Sequence, residues 1–221
     1  LTKLVNENNI PKMEERKTLN DKFFSLEKEK KDKIINAALR EFGMKGFHRA
    51  STNEIVKEAE ISKGLLFHYF KNKKTLYIFL FDYAVEMISE KVFGDERNLE
   101  EDIFQRFLQI TIEKLNLFKQ HPDLFDFLMK AMEDEAIQDE LKNREIIEQA
   151  YQKVFSGIDF TRFKEGLNIE KALKVIYWTF QGFGEEEQER LKREGIRNYD
   201  IDQVTLKMKE YIQFLRQLFY K

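Results

Sequence analysis

Cysteine is absent from this 221-residue chain, so a disulfide framework, a thiol nucleophile and a thiolate metal site are all excluded. The absence fits a reducing compartment, and a cytoplasmic location is the expectation. Proline occurs twice and glycine nine times, too little punctuation for a many-turned sandwich and enough only to separate long helices. No apolar run approaches the roughly 20 residues that span a bilayer, and no signal-peptide pattern opens the sequence. With three histidines in all, the acidic runs at 133–135 and 185–187 read as solvated faces rather than metal sites. A nucleophile elbow, a phosphate loop and a His-Glu metal motif are missing, and no nucleophile stands beside a base. No catalytic residue, metal or cofactor is therefore expected, and an enzyme is disfavoured.

What the sequence does hold is 42% hydrophobic and 35% charged residues, material for a core under a well-solvated surface. The formal net charge of −2 conceals an asymmetry. Between Lys28 and Thr75 twelve Lys and Arg oppose six Asp and Glu, a balance of +6 that leaves −8 for the remainder. A basic module joined to an acidic body is the footprint of a polyanion-binding head.

Residues 1–27 read as a polar extension in which Pro11 discourages a helix, with Phe23, Phe24 and Leu26 available to dock on the body. Ile34, Ile35, Ala38, Leu39 and Phe42 then fall on one helical face. Gly43 and Gly46 are expected to end that helix. Ser51, with Glu54 at the capping-box position, opens a short helix carrying Ile55, Val56 and Ala59. After a tight connection "SKGLLFHYF" starts another, and Asn72 caps a long one. Beyond Gly94 the segments 99–120, 123–136, 137–158, 168–192 and 200–221 are amphipathic, with Pro122 suited to a first helical turn and Gly157 and Gly166 bracketing a loop. The expected class is all-α, divided into the extension 1–27, a head 28–75 and a larger helical body 76–221.

Short helices joined by a tight turn, the last with basic and aromatic tips, form a helix-turn-helix signal. In "SKGLLFHYF", Leu65, Phe67 and Phe70 can anchor the helix, leaving Ser62, Lys63, Gly64, Leu66, His68 and Tyr69 outward or at its edge. Gly64 lets DNA approach the backbone, and Thr52 offers a hydroxyl and an amide to phosphate.

Residues 34–77, about a fifth of the chain, resemble the TetR-like transcriptional regulators. Ala37-Ala38, Phe42, Gly46-Phe47, Thr52, Ile55, Ser62, Gly64, Phe67, Phe70, Lys73 and Leu76 stand in order at the positions of the family pattern. The resemblance implies that Thr52, Lys63, Tyr69 and Lys73 hold the phosphate backbone while Ser62, Gly64, Leu66 and His68 lie near base edges. One departure is Glu60, where the family usually has Gly; a left-handed Glu carries a backbone penalty and places a negative charge near DNA. The resemblance further implies a helical ligand-binding and dimerisation domain, a double-stranded DNA operator, a small-molecule effector and a homodimer, most simply a repressor. Phe107, Phe125, Met129, Trp178 and Phe183 are the candidate lining of an apolar effector pocket. The last two helices, through Ala172, Val175, Ile176 and Thr179 and then Val204, Met208, Tyr211, Leu215 and Leu218, are the candidate dimer face. The alternative is a helical interaction module whose basic head binds an acidic partner.

Overall fold

The structure, a computed structural model, describes residues 22–94, 99–134 and 152–221. Its helices in chain order are α1 (Lys28–Arg49), α2 (Thr52–Glu58), α3 (Lys63–Phe70), α4 (Lys73–Phe93), α5 (Ile103–Gln120), α6 (Pro122–Glu133), α7 (Ile169–Glu194) and α8 (Ile201–Phe219). Among the described residues, 22–84 and 123–134 form one compact unit, and 85–94, 99–122 and 152–221 a second. The helix expected over 137–158 lies mostly outside the described residues.

In the first unit α1 buries Ile34, Ile35, Ala38, Leu39 and Phe42, the face its spacing predicts. Gly43 does not end the helix. It stays helical and buried, and a Cβ added there would lie 3.0 Å from the backbone nitrogen of Phe127 on α6. The turn comes at Gly46, with φ 69° and ψ 175°, a conformation that only glycine adopts readily. Ser51 is the N-cap of α2, yet its side chain makes no capping bond. Its backbone N–H instead donates to the buried carboxylate of Glu41 at 2.8 Å, which also accepts from Lys45 at 2.9 Å. The capping box expected of Ser51 and Glu54 is thus replaced by a carboxylate from α1. Asn72 caps α4 as expected, accepting from the N–H of Thr75 at 2.9 Å and from its hydroxyl at 3.1 Å.

The first unit is completed by α6, a helix distant in sequence. Phe127 sets its ring 5.0 Å from Tyr77 and 6.4 Å from Phe42. Asp123 accepts from Arg40 at 3.1 Å, and Asp134 accepts the N–H of Phe47 at 3.0 Å, just past the Gly46 turn. Tyr77 is wholly buried among these groups, and burial, with the Asp134 carboxylate adding to it, pushes its phenol well above the ordinary value.

In the second unit α8 packs on α5 and α7. The buried N-cap of α5, Asp102, accepts from the N–H groups of Phe104 and Gln105 at 2.9 and 3.2 Å. Its other oxygen takes Arg162 at 3.2 Å and Arg216 of α8. A single carboxylate thereby joins α5, the 3-10 turn Phe160–Arg162 and α8. The main chain adds a latch: Phe163 and Tyr220 form an isolated antiparallel bridge, Lys164 N–H donates to Phe219 at 2.9 Å and Lys221 N–H to Arg162 at 3.0 Å. Neither acidic run is simply a solvated face. Asp134 is engaged as above, and Glu187 is buried, accepting from the Tyr199 hydroxyl and from Lys207 at 3.3 Å, with Arg190 at 3.2 Å. Its neighbours Glu185 and Glu186 are exposed, as is Glu133 in the other run.

The two closing helices correct the expected stripes. Ala172 and Ile176 of α7 and Val204, Met208 and Leu215 of α8 are buried within the chain. Val175, Trp178, Tyr211, Phe214 and Leu218 are exposed, Trp178 at 63% and Phe214 at 59%.

Candidate nucleic-acid interface

The geometry of α3 follows from its length. Eight residues make little more than two turns, so the helix must be held by few contacts. Ser62 starts it by accepting the N–H of Leu65 at 3.2 Å. Leu66 and Phe70, one turn apart, are the anchors, 0% and 1% exposed, while Leu65 and Phe67 are half-buried. Leu66 is therefore corrected from a base-facing residue to a core residue: the phase of so short a helix is set by the surface beneath it. Ser62, Lys63, Gly64 and His68 are exposed; Thr52 and Tyr69 are half-buried.

Gly64 is informative for what surrounds it. An added Cβ would meet nothing closer than the Ser62 hydroxyl at 3.9 Å, an ordinary contact, so the fold itself does not require glycine there. Lys73 is half-buried and turned inward. Its ammonium donates to the carbonyls of His48 and Ala50 at 3.1 and 3.2 Å and lies 4.9 Å from the centre of the Phe47 ring. Two of its three donors thus hold the corner between α1 and α2. Glu60 has φ 56°, the left-handed conformation the family's glycine would take. Its carboxylate accepts from Lys33 of α1 at 2.9 Å, and that bond holds its pKa below the usual carboxylate range.

Sequence reasoning missed Glu41, and it expected Phe23 to dock without identifying its partners. Glu41 stands seven residues after Ile34, in line with the buried face of α1, and that spacing is the signal for it. Phe23 is wholly buried, and nothing local in the sequence shows against what.

The candidate pocket residues are divided between the two units. Phe125 and Met129 belong to α6 in the first unit, and Phe107, Trp178 and Phe183 to the second. Trp178 is corrected to a surface residue. Phe183 packs on Tyr211 at 5.7 Å. Phe107 stacks on Phe180 at 4.9 Å and meets Phe155 at 6.3 Å, so aromatics do gather between α5 and α7. Grooves of about 300 and 350 Å³ are surface features elsewhere, one on α1 and α2 lined by Glu29, Asp32, Lys33 and Glu58, the other lined by Met87, Glu90, Lys91, Leu117, Gln120 and His121.

Residues 34–78 match the model for bacterial regulatory proteins of the tetR family. The uncharacterized HTH-type transcriptional regulator YerO of Bacillus subtilis is 31% identical over 106 residues, 46% of this chain and 35% of that protein. The fatty acid metabolism regulator protein of Bacillus subtilis is 26% identical over 157 residues, 66% of this chain and 77% of that protein. The fold is similar to that of the transcriptional regulator FadR from Bacillus subtilis in complex with stearoyl-CoA, with TM-score 0.60 at 19% identity over 81% of this chain and 96% of that one. The match to YerO covers about a third of that regulator's length. Residues 34–78 are thus similar to the tetR family's regulatory proteins, and the described residues are helical with an N-terminal helix-turn-helix. Among the described residues no helix is long and apolar enough to cross a membrane.

Proposed function

We propose that the chain binds a pseudo-palindromic DNA operator as a homodimer and acts as a repressor released by a small apolar or amphipathic effector. The observation that carries this reading is the uncovered start of α3: Ser62, Lys63, Gly64 and His68 lie exposed over the buried anchors Leu66 and Phe70. A helix face of short polar groups and a glycine fits the major groove, where base edges are read by close approach. Lys63, Thr52 and Tyr69, with the remaining donor of Lys73, are the phosphate contacts.

The dimer face is the exposed set Val175, Trp178, Tyr211, Phe214 and Leu218 on α7 and α8, since a run of aromatic surface is the mark of a partner interface. Two-fold symmetry places the two α3 helices about 34–36 Å apart, or a multiple of that spacing. The relative named for fatty acid metabolism supports a long acyl chain as the first effector to try, with Phe107, Phe155 and Phe180 as its apolar neighbours. Release requires that the effector prefer one arrangement of the head over another. Both α4 and α6 can carry that preference, because both are built into the unit that supports α3.

Selection of bound sequences from a random duplex pool tests the reading. An enriched inverted repeat supports it; recovery of unenriched, salt-sensitive DNA overturns it. Titrating the selected operator complex with stearoyl-CoA tests release, and a saturated protein that binds as tightly as the empty one removes this effector.

A further inference from the structure

Phe23 precedes the segment shared with the family, residues 34–78, and yet is 0% exposed. Its ring lies 5.7 Å from Tyr69, edge-on at 72°, 5.0 Å from Phe70 and 5.2 Å from Phe79 of α4. It is held there by its own short turn: Leu26 N–H donates to its carbonyl at 3.1 Å, and the Ser25 hydroxyl donates to the Lys22 carbonyl at 2.7 Å. Lys31 of α1 reaches back to the carbonyl of Phe24 at 2.8 Å, which ties the turn to the head.

Resting on the DNA-binding reading above, we infer that Phe23 is a positioning residue for Tyr69 at the end of the recognition helix. The other rings that touch Tyr69, His68 and Phe70, are its own neighbours along α3. Among the described residues, Phe23 is thus the ring that braces Tyr69 from another segment. The Tyr69 hydroxyl makes no hydrogen bond among the described residues, and the residue is only half-buried. A phenol with its ring clamped and its hydroxyl unclaimed is a preorganised donor to a phosphate oxygen, since its rotamer is fixed before the duplex arrives. Removing the clamp frees the ring, and binding must then order it again. Phe23 also links Phe70 of α3 to Phe79 of α4, so the same residue fixes the angle at which α3 leaves the body of its unit.

The test is the affinity of the full chain for its selected operator, measured well below the unfolding midpoint of each variant. Phe23→Ala is expected to raise the dissociation constant about fivefold to tenfold, the worth of one well-placed ring pair. In a Tyr69→Phe background, which lacks the hydroxyl, Phe23→Ala is expected to add little. Wild-type affinity in folded Phe23→Ala overturns the inference, as does an equal loss in both backgrounds. If Phe23→Ala does not fold, Phe23→Leu, which keeps apolar bulk but not the ring edge, is read on the same two criteria. Failure of the wild-type chain to enrich any operator would instead remove the DNA-binding reading, and with it the inference, before a variant is made.

Discussion

In the first unit the uncovered face of α3 carries a hydroxyl, an ammonium, a glycine and an imidazole; in the second, α7 and α8 uncover Val175, Trp178, Tyr211, Phe214 and Leu218. Both faces lie directly over well-buried anchors on the same helices, Leu66 and Phe70 in one case and Ile176, Ile212 and Leu215 in the other. Burial on one side therefore says little about the partner on the other. The chemistry of the uncovered side does: short polar groups suit base edges and phosphate, whereas broad aromatic surface suits a second protein surface that can exclude water.

Substitutions can break that contrast. The largest effect is expected from Leu66→Ala, which should cost about 2–5 kcal/mol of stability by opening a cavity under α3, read by denaturant unfolding. Near-normal stability with altered site preference would return Leu66 to the groove. Trp178→Glu should weaken self-association by about 2–4 kcal/mol, the range of a central interface tryptophan. Sedimentation should show monomer at concentrations where the wild type is dimeric, and operator affinity should fall with it; an unchanged dimer would move the interface elsewhere. Lys73→Ala should lose about 1–2 kcal/mol through its carbonyl bonds and lower the salt slope of DNA binding by about one unit. Lost stability with an unchanged slope would make Lys73 an internal brace only. The smallest effect sharpens the contrast most: Gly64→Ala should raise stability by up to about 1 kcal/mol, because alanine suits a helix better, while weakening operator binding. Gains in both would mean that nothing approaches the backbone of α3 closely.

Local signals made much of the head legible, although two of them, the helix stop at Gly43 and the capping box of Ser51 and Glu54, gave way to packing on α6 and to Glu41. The face of α1, the cap at Asn72 and the order of the helix-turn-helix all rest on neighbours within a few residues. The left-handed position of Glu60 was legible too, as a departure from a glycine. What failed was the phase of α3, where two adjacent leucines offer either register and only the packing beneath decides for Leu66. Partners far apart along the chain were equally invisible: Phe23 with Tyr69, Asp134 with Phe47, Arg162 and Arg216 with Asp102. A pocket is a property of such long-range packing, so a list of aromatics could not distinguish the exposed Trp178 from the stacked Phe107.

The missing side chain at Gly43 sets a limit on how this chain can vary. With the Phe127 backbone 3.0 Å from where a Cβ would stand, even alanine must push α6 away from α1, and a larger residue must displace it further. Substitutions at Gly43, Asp123 and Phe127 should therefore share one effect, a disturbed seat of α6 on α1, without touching any residue proposed to meet DNA.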